Sequence, residues 1–299
     1  MGNTVPFALR TKTLLAILLV SCGAWASPTV DSKQSPAPGR SGSKSSVSKA
    51  DVRSAAYIIV DERTSETLLA KQADTAMPIA SITKLMMALV VLEAGQPLDE
   101  LLTITKEDRL IDLGGKSRLS VGASLTRGEL LRLALMSSEN RAANALGRNY
   151  PGGLSALLQA MNAKAKALGM KSARFVDATG LSSDNVASPR DLVKLVDAAA
   201  RHPLIREYST DTDEVVLVGK QLLEYRNTNQ LVGKPDWNIL VQKTGFTNAA
   251  GQCLVMNSFG KYTRVADARR VRRWMEMTQE GTQQLVGGQA SSQARHASP

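Results

Sequence analysis

The chain has 299 residues, 43% of them hydrophobic and 21% charged, so it can bury a real core in one large domain or two, and wholesale disorder is excluded. With 37 Lys and Arg against 27 Asp and Glu it carries +10, a balance that favours anionic surroundings such as cell-wall polymers, lipid head groups or nucleic acid. No segment resembles a nucleic-acid module, and two histidines with two cysteines starve any metal site, so neither nucleic acid nor a metal or other cofactor is expected.

Arg10 and Lys12 stand before a short apolar stretch, Thr13 to Ala24, and Ala24-Trp25-Ala26 gives a small-x-small cleavage pattern; residues 1–26 read as an export signal. The stretch is too short for a stable transmembrane span. "LVSC", ending at Cys22, also resembles the lipid-attachment box of bacterial lipoproteins, which would leave the protein membrane-anchored; a cut after Ala26 and an unlipidated periplasmic protein are the expectation. Loss of Arg10 and Lys12 takes +10 to +8, and loss of Cys22 leaves Cys253, which alone makes no internal disulfide. For an exported chain the polyanion is the envelope, with weak association at its anionic surfaces.

Residues 27–50 are rich in Ser, Pro and Lys and read as a flexible tether, while residues 279–299 are poor in core formers and read as a disordered tail. The folded part is then 51–278. "AAYIIVDERTSETLLAKQAD" predicts a hairpin turning at Glu62 to Ser65. "MPIASITKLMMALVVLEAG", residues 77–95, predicts an apolar helix. "LTRGELLRLALM" opens with a capping box, Thr126 and Glu129. After the break "SSEN", helices resume in "RAANALGRNY" and "GGLSALLQAMNAKAKALG". Ser188 and Pro189 start another in "SPRDLVKLVDAAAR". Beyond about residue 210 the pattern turns to strands: "DEVVLVG", "WNILVQKTG" and "GQCLVM". Strands, a helical middle and strands again predict one α+β domain whose antiparallel sheet draws on both chain ends and packs on a helical cluster.

Ser81 and Lys84 fall one turn apart at the head of the 77–95 helix. Ser-x-x-Lys alone is weak, since the tether holds Ser41/Lys44 and Ser46/Lys49 as well; only Ser81/Lys84 opens an apolar helix. A serine at a helix N-terminus sits in the positive end of the macrodipole, and a lysine sunk among Leu85, Met86 and Leu89 would favour its neutral form, as a base must. The alternative is a capped core helix with a snorkelling lysine. A Ser-His-Asp triad would have to rest on His202, beside a proline at a helix end, so a lysine is the base if the chain is a serine hydrolase. Two Ser-x-Asn candidates compete, Ser138/Asn140 and Ser183/Asn185; the first is preferred, because a polar break between helices can face the Ser81 helix. Lys243-Thr244-Gly245 ends a strand, where a cation and a hydroxyl can hold a substrate carboxylate and the glycine can let substrate backbone lie close. The N–H groups of Ser81 and Phe246 could pair as an oxyanion hole.

These three motifs in this order form the signature of penicillin-binding proteins and β-lactamases. Over about residues 50–275 the chain resembles the serine D-alanyl-D-alanine peptidases, the low-molecular-mass penicillin-binding proteins. "VDATGLSSDNVASPRDLVKLV", "NTNQLVG", "QKTGFTNAAGQCLVM" and "FGKYTRVADARR" look closest to the endopeptidase branch. The resemblance implies a β-lactamase/transpeptidase-like fold and cleavage of peptidoglycan cross-bridges through an acyl-serine, inhibited by β-lactams. Ser81 would be the nucleophile, Lys84 its proton acceptor and Ser138 a proton relay; Asn140, Lys243, Thr244 and Gly245 would bind substrate. "KSARFVDATG" stands where a β-lactamase would carry its deacylating glutamate, so acylation by penicillin should be long-lived. Carboxypeptidase relatives usually add a second β-rich domain, and 54 residues after Gly245 are too few for it. Carboxypeptidase activity, or an inactive penicillin-site relative serving as a scaffold, are the alternatives. In this family two further strands follow the Lys-Thr-Gly strand, whereas "GQCLVM" here runs directly into "NSFGKYTRVADARRVRRWMEM". A sheet lacking one strand, a displaced C-terminal helix and a less stable protein are therefore expected.

Overall fold

The structure, a computed structural model, describes residues 14–21, 52–110, 117–235 and 237–259. In chain order the elements begin with β1 (Leu14–Ser21), β2 (Ala56–Asp61), β3 (Glu66–Lys71) and β4 (Met77–Pro78). A 3-10 turn, Ala80–Ile82, leads into α1 (Thr83–Glu93), followed by β5 (Leu101–Thr103), α2 (Lys106–Leu110), β6 (Ser124–Thr126) and α3 (Arg127–Met136). Then come α4 (Asn140–Arg148), α5 (Gly153–Ala167), β7 (Val186–Ala187), α6 (Pro189–Ala200) and α7 (Pro203–Thr210). The last four strands are β8 (Asp213–Val218), β9 (Gln221–Arg226), β10 (Asn238–Thr247) and β11 (Gly251–Phe259).

Local chemistry sets the helix starts as expected. Thr126 and Glu129 form a reciprocal capping box on α3, and Ser188 caps α6 with Pro189 in its first turn. Every residue from Thr83 to Val91 is buried, so α1 is apolar on all sides and sits at the centre of the helical cluster, against α3, α4, α5 and α6. Around it, Asp108 is buried and accepts from the guanidinium of Arg148, which ties α2 to α4. The hairpin at 56–71 forms as predicted, and β8 pairs with β9, a strand the sequence reading did not single out.

One expectation is overturned. The main sheet does not lack a strand: it has five, in the order β10-β11-β1-β2-β3. β11 pairs antiparallel with the Lys-Thr-Gly strand β10, and the gap this leaves beside β2 is filled by β1. The physical reason is that "LLAILLVS" is apolar on both alternating residue sets through Val20, and so suits a slot covered on both faces as well as it suits a leader. The segment "VADARRVRRWMEM", the tether 27–50 and the tail 279–299 lie outside the described residues. Among the described residues no helix is long and apolar enough to cross a membrane.

Candidate active site

The site lies where the 3-10 turn, the α3–α4 break, the loop before β7 and the edge strand β10 converge. Ser81 sits in the 3-10 turn ahead of α1 rather than in the helix itself. Lys84 is wholly buried, and its Nζ lies 2.9 Å from Ser81 Oγ, 2.7 Å from Asn140 Oδ1 and 2.8 Å from the carbonyl oxygen of Thr179. The Asn140 and Thr179 oxygens can only accept, so they take two amine hydrogens; Ser81 Oγ can also donate. A neutral amine satisfies all three by turning its lone pair to the Ser81 hydroxyl. Lys84 is therefore not a snorkelling surface charge, and the arrangement can move a proton from Ser81 to Lys84.

Lys243 is also fully buried and donates to the Thr244 carbonyl at 2.8 Å. Its amine is held well below the usual lysine range, first by burial and then by the charge of Lys84. Two lysines so placed resist carrying two charges at once. Thr244 Oγ1 lies 2.5 Å from Thr228 Oγ1, and Thr228 N–H and hydroxyl both reach the Met136 carbonyl. Thr228, from "NTNQLVG", thus joins β10 to the end of α3, two residues before Ser138. The sequence reading gave Thr228 no role.

Strain concentrates here. Of the four non-glycine residues with positive φ among those described, two are Ala80, just before Ser81, and Ser138 itself. Such conformations cost about 1–3 kcal/mol each and persist only where the surroundings enforce them. For Ala80 the enforcing neighbour is Gly180, at φ +85°, where a Cβ would lie 1.8 Å from the Ala80 carbonyl oxygen. Gly245 also has a reason within the fold. A Cβ there would stand 2.9 Å from the Ser81 backbone nitrogen, so the missing side chain lets β10 lie against the turn that carries Ser81. Phe246 follows on the same edge strand, and its ring is exposed.

Between the two Ser-x-Asn candidates the geometry discriminates. Asn140 touches Lys84, whereas Asn185 organises the loop that delivers Thr179. Asn185 Oδ1 accepts from Val176 and Asp177 N–H, its Nδ2 donates to Asp177 Oδ2, and its carbonyl accepts from Ile79 N–H. Asp177 in turn accepts from the N–H groups of Thr179, Gly180 and Ser182. Thr179 and Asp177 were missed, and the signal for them was the polar run "DATGLSSDN" itself. Beside Ser138 and Asn140 opens a cavity of about 410 Å³ lined by Arg118, Glu139, Glu224, Tyr225 and Arg226. Arg118 lies 3.9 Å over the Tyr225 ring. Burial, then the charge of Glu139, pushes the Tyr225 phenol upward, so it stays a donor.

Residues 43–268 match the family model described as D-alanyl-D-alanine carboxypeptidase, peptidase S11. The chain belongs to this family. The chain is similar to D-alanyl-D-alanine endopeptidase of Pseudomonas aeruginosa, 46% identical over 77% of this chain and 79% of that protein. The Escherichia coli protein of the same name is 44% identical over 80% and 83%. A carboxypeptidase of E. coli, DacC, is 26% identical over 74% of this chain and 57% of its own length. The fold matches a mutant of the Streptomyces K15 DD-transpeptidase with a TM-score of 0.68 at 23% identity, covering 77% of this chain and all of that one. Membership of this peptidase S11 family makes the chain a serine D-Ala-D-Ala peptidase, a hydrolase, on an α+β penicillin-binding fold.

Proposed function

We propose that the protein is a D-alanyl-D-alanine endopeptidase that opens the peptide cross-bridges of peptidoglycan, with Ser81 as nucleophile and Lys84 as its base. The observation that carries this reading is the wholly buried Lys84 amine, bonded to Ser81, Asn140 and Thr179. Ser81 Oγ attacks the carbonyl of the D-alanyl residue while Lys84 accepts its proton. The N–H groups of Ser81 and Phe246 receive the developing oxyanion. As the tetrahedral adduct collapses the C–N bond breaks, and Ser138 passes a proton to the departing amine. Water then cleaves the Ser81 ester. Asn140 holds the substrate amide, Thr244 binds its carboxylate, Lys243 adds positive potential, and Gly245 keeps the edge of β10 close enough for an extended peptide to lie along it.

β-Lactams acylate the same serine. Asp177, the acid in the segment where a deacylating glutamate would stand, already accepts from three backbone N–H groups and from Asn185, which supports a long-lived acyl-enzyme. The endopeptidase preference rests on the two relatives above 40% identity. Incubation with purified cross-linked and monomeric muropeptides tests it. Dimers should be cleaved; intact dimers beside trimmed monomeric pentapeptide would make the protein a carboxypeptidase. We place the protein in the periplasm, in contact with the anionic envelope.

A further inference from the structure

The cavity beside Ser138 has three walls: the α3–α4 break, β9 from Glu224 to Arg226, and Arg118. Hydrogen bonds latch them together. The Arg118 N–H donates to Glu139 Oε2 at 3.5 Å, the Arg141 guanidinium donates to the Leu119 carbonyl, and the Arg118 guanidinium donates to the Glu224 carbonyl. Ser138 and Asn140 line the cavity, whereas Ser81, Thr244 and Phe246 do not. It therefore adjoins the serine that hands a proton to the departing amine, not the groups that receive the oxyanion and the substrate carboxylate.

The charges around it are unequally spent. Glu224 pairs with Arg226 at 3.0 Å, and Glu139, 6% exposed, accepts from the N–H groups of Arg118 and Arg141. The Arg118 guanidinium lies 3.9 Å over the Tyr225 ring with one bond to a carbonyl, and among the described residues it pairs with no carboxylate. Tyr225 is 1% exposed, and among the described residues its hydroxyl has no hydrogen-bond partner. A buried hydroxyl left unpaired is costly and calls for an acceptor. One ring thus sets two unsatisfied donors at one wall, a guanidinium and a phenol, and a carboxylate can accept from both.

The two possible leaving groups differ in whether they bring such a carboxylate. A carboxypeptidase expels one D-alanine, and Thr244 takes its single carboxylate. An endopeptidase expels a peptide, which has more atoms to house and a second carboxylate at its own C-terminus. The cavity, about 410 Å³, is within the roughly 300–1,000 Å³ of small-molecule sites.

We propose that this cavity receives the leaving peptide of a cross-bridge, and that Arg118 and Tyr225 are specificity residues that bind its terminal carboxylate. The inference rests on the endopeptidase reading and adds the feature that a carboxypeptidase does not need. Arg118 supplies the charge, while Tyr225 carries the guanidinium on its ring and donates one further bond.

Two synthetic cross-linked peptides test this, identical except that the leaving arm ends in a carboxylate or in a carboxamide. The carboxylate form should be cleaved with a kcat/KM at least ten-fold higher, the difference lying in KM. Arg118→Gln should reduce that preference to less than two-fold. Tyr225→Phe, which keeps the ring under Arg118, should reduce it to a value between. The free leaving arm should also inhibit cleavage by the wild type, and its carboxamide at least ten-fold less well, a measurement that needs no variant to fold. Equal cleavage and equal inhibition by the two forms overturn the proposal, as does a full preference retained by Arg118→Gln. Cleavage of neither cross-linked peptide, beside removal of D-alanine from a monomeric pentapeptide, overturns the endopeptidase reading and this inference with it.

Discussion

Lys84 and Lys243 are both fully buried, and their partners differ in a way that assigns them different tests. Lys84 reaches the Ser81 hydroxyl, so Lys84→Ala removes the amine bonded to that serine. Penicillin acylation is expected to fall by about three powers of ten or more, with the circular dichroism spectrum unchanged. Near-wild-type labelling would reduce Lys84 to a packing role. Lys243 answers to pH. Its folded-state proton affinity is depressed below the unfolded value, so between the two the unfolded chain binds more protons and stability rises with pH. That contribution is complete above the ordinary lysine value and is lost as pH falls through the folded one. Lys243→Met has no such dependence. The variant's advantage in Tm over the wild type should therefore be largest in acid and shrink as the pH approaches 10; a constant difference would refute the assignment.

At the scale of elements, the loop from Val176 to Asn185 decides whether Lys84 keeps its third partner. Asp177→Asn puts an NH₂ among donors that now point at carboxylate oxygens. One or more backbone N–H groups would be left unmatched, at about 1–3 kcal/mol. The expected result is a lower Tm together with slower acylation, because the Thr179 carbonyl moves away from Lys84; slower acylation with an unchanged melt would place Asp177 in the chemistry instead. This loop also shows what the sequence could and could not tell. Ser81, Lys84 and the Lys243 to Gly245 strand were legible because each needs a particular side chain, or the lack of one, in a recognisable setting. Thr179 was not, since it contributes a carbonyl that any residue has. Gly245 has a further neighbour, the Ser81 backbone, which only the packing of β10 on the 3-10 turn reveals. β9, "QLLEYR", was passed over because three of its six residues are polar or charged, and its strand depends on pairing with β8. The central strand was missed because one apolar octet satisfies a leader and a buried strand equally.

For the whole molecule, the surplus of cations favours contact with anionic polymers. With +10 over 299 residues, co-sedimentation with purified anionic cell-wall sacculi should be strong near 10 mM salt and largely lost by about 0.5 M, where charges beyond a few ångströms are screened. Absence of binding at low salt would show that the surplus cations play no part in envelope contact.

The position of β1 also sets a clock on folding. Its partner β11 lies more than 230 residues further along the chain, since Ser21 meets Gln252. At ~5–20 residues per second a ribosome needs about 12–46 s to make that stretch. Only β2 and β3 can join β1 earlier, and so small a group of strands is marginal without the helices that cover it. For most of its synthesis the apolar segment therefore has no completed slot to enter. The late arrival of its own last strand keeps the N-terminal segment outside a finished sheet until synthesis is nearly complete.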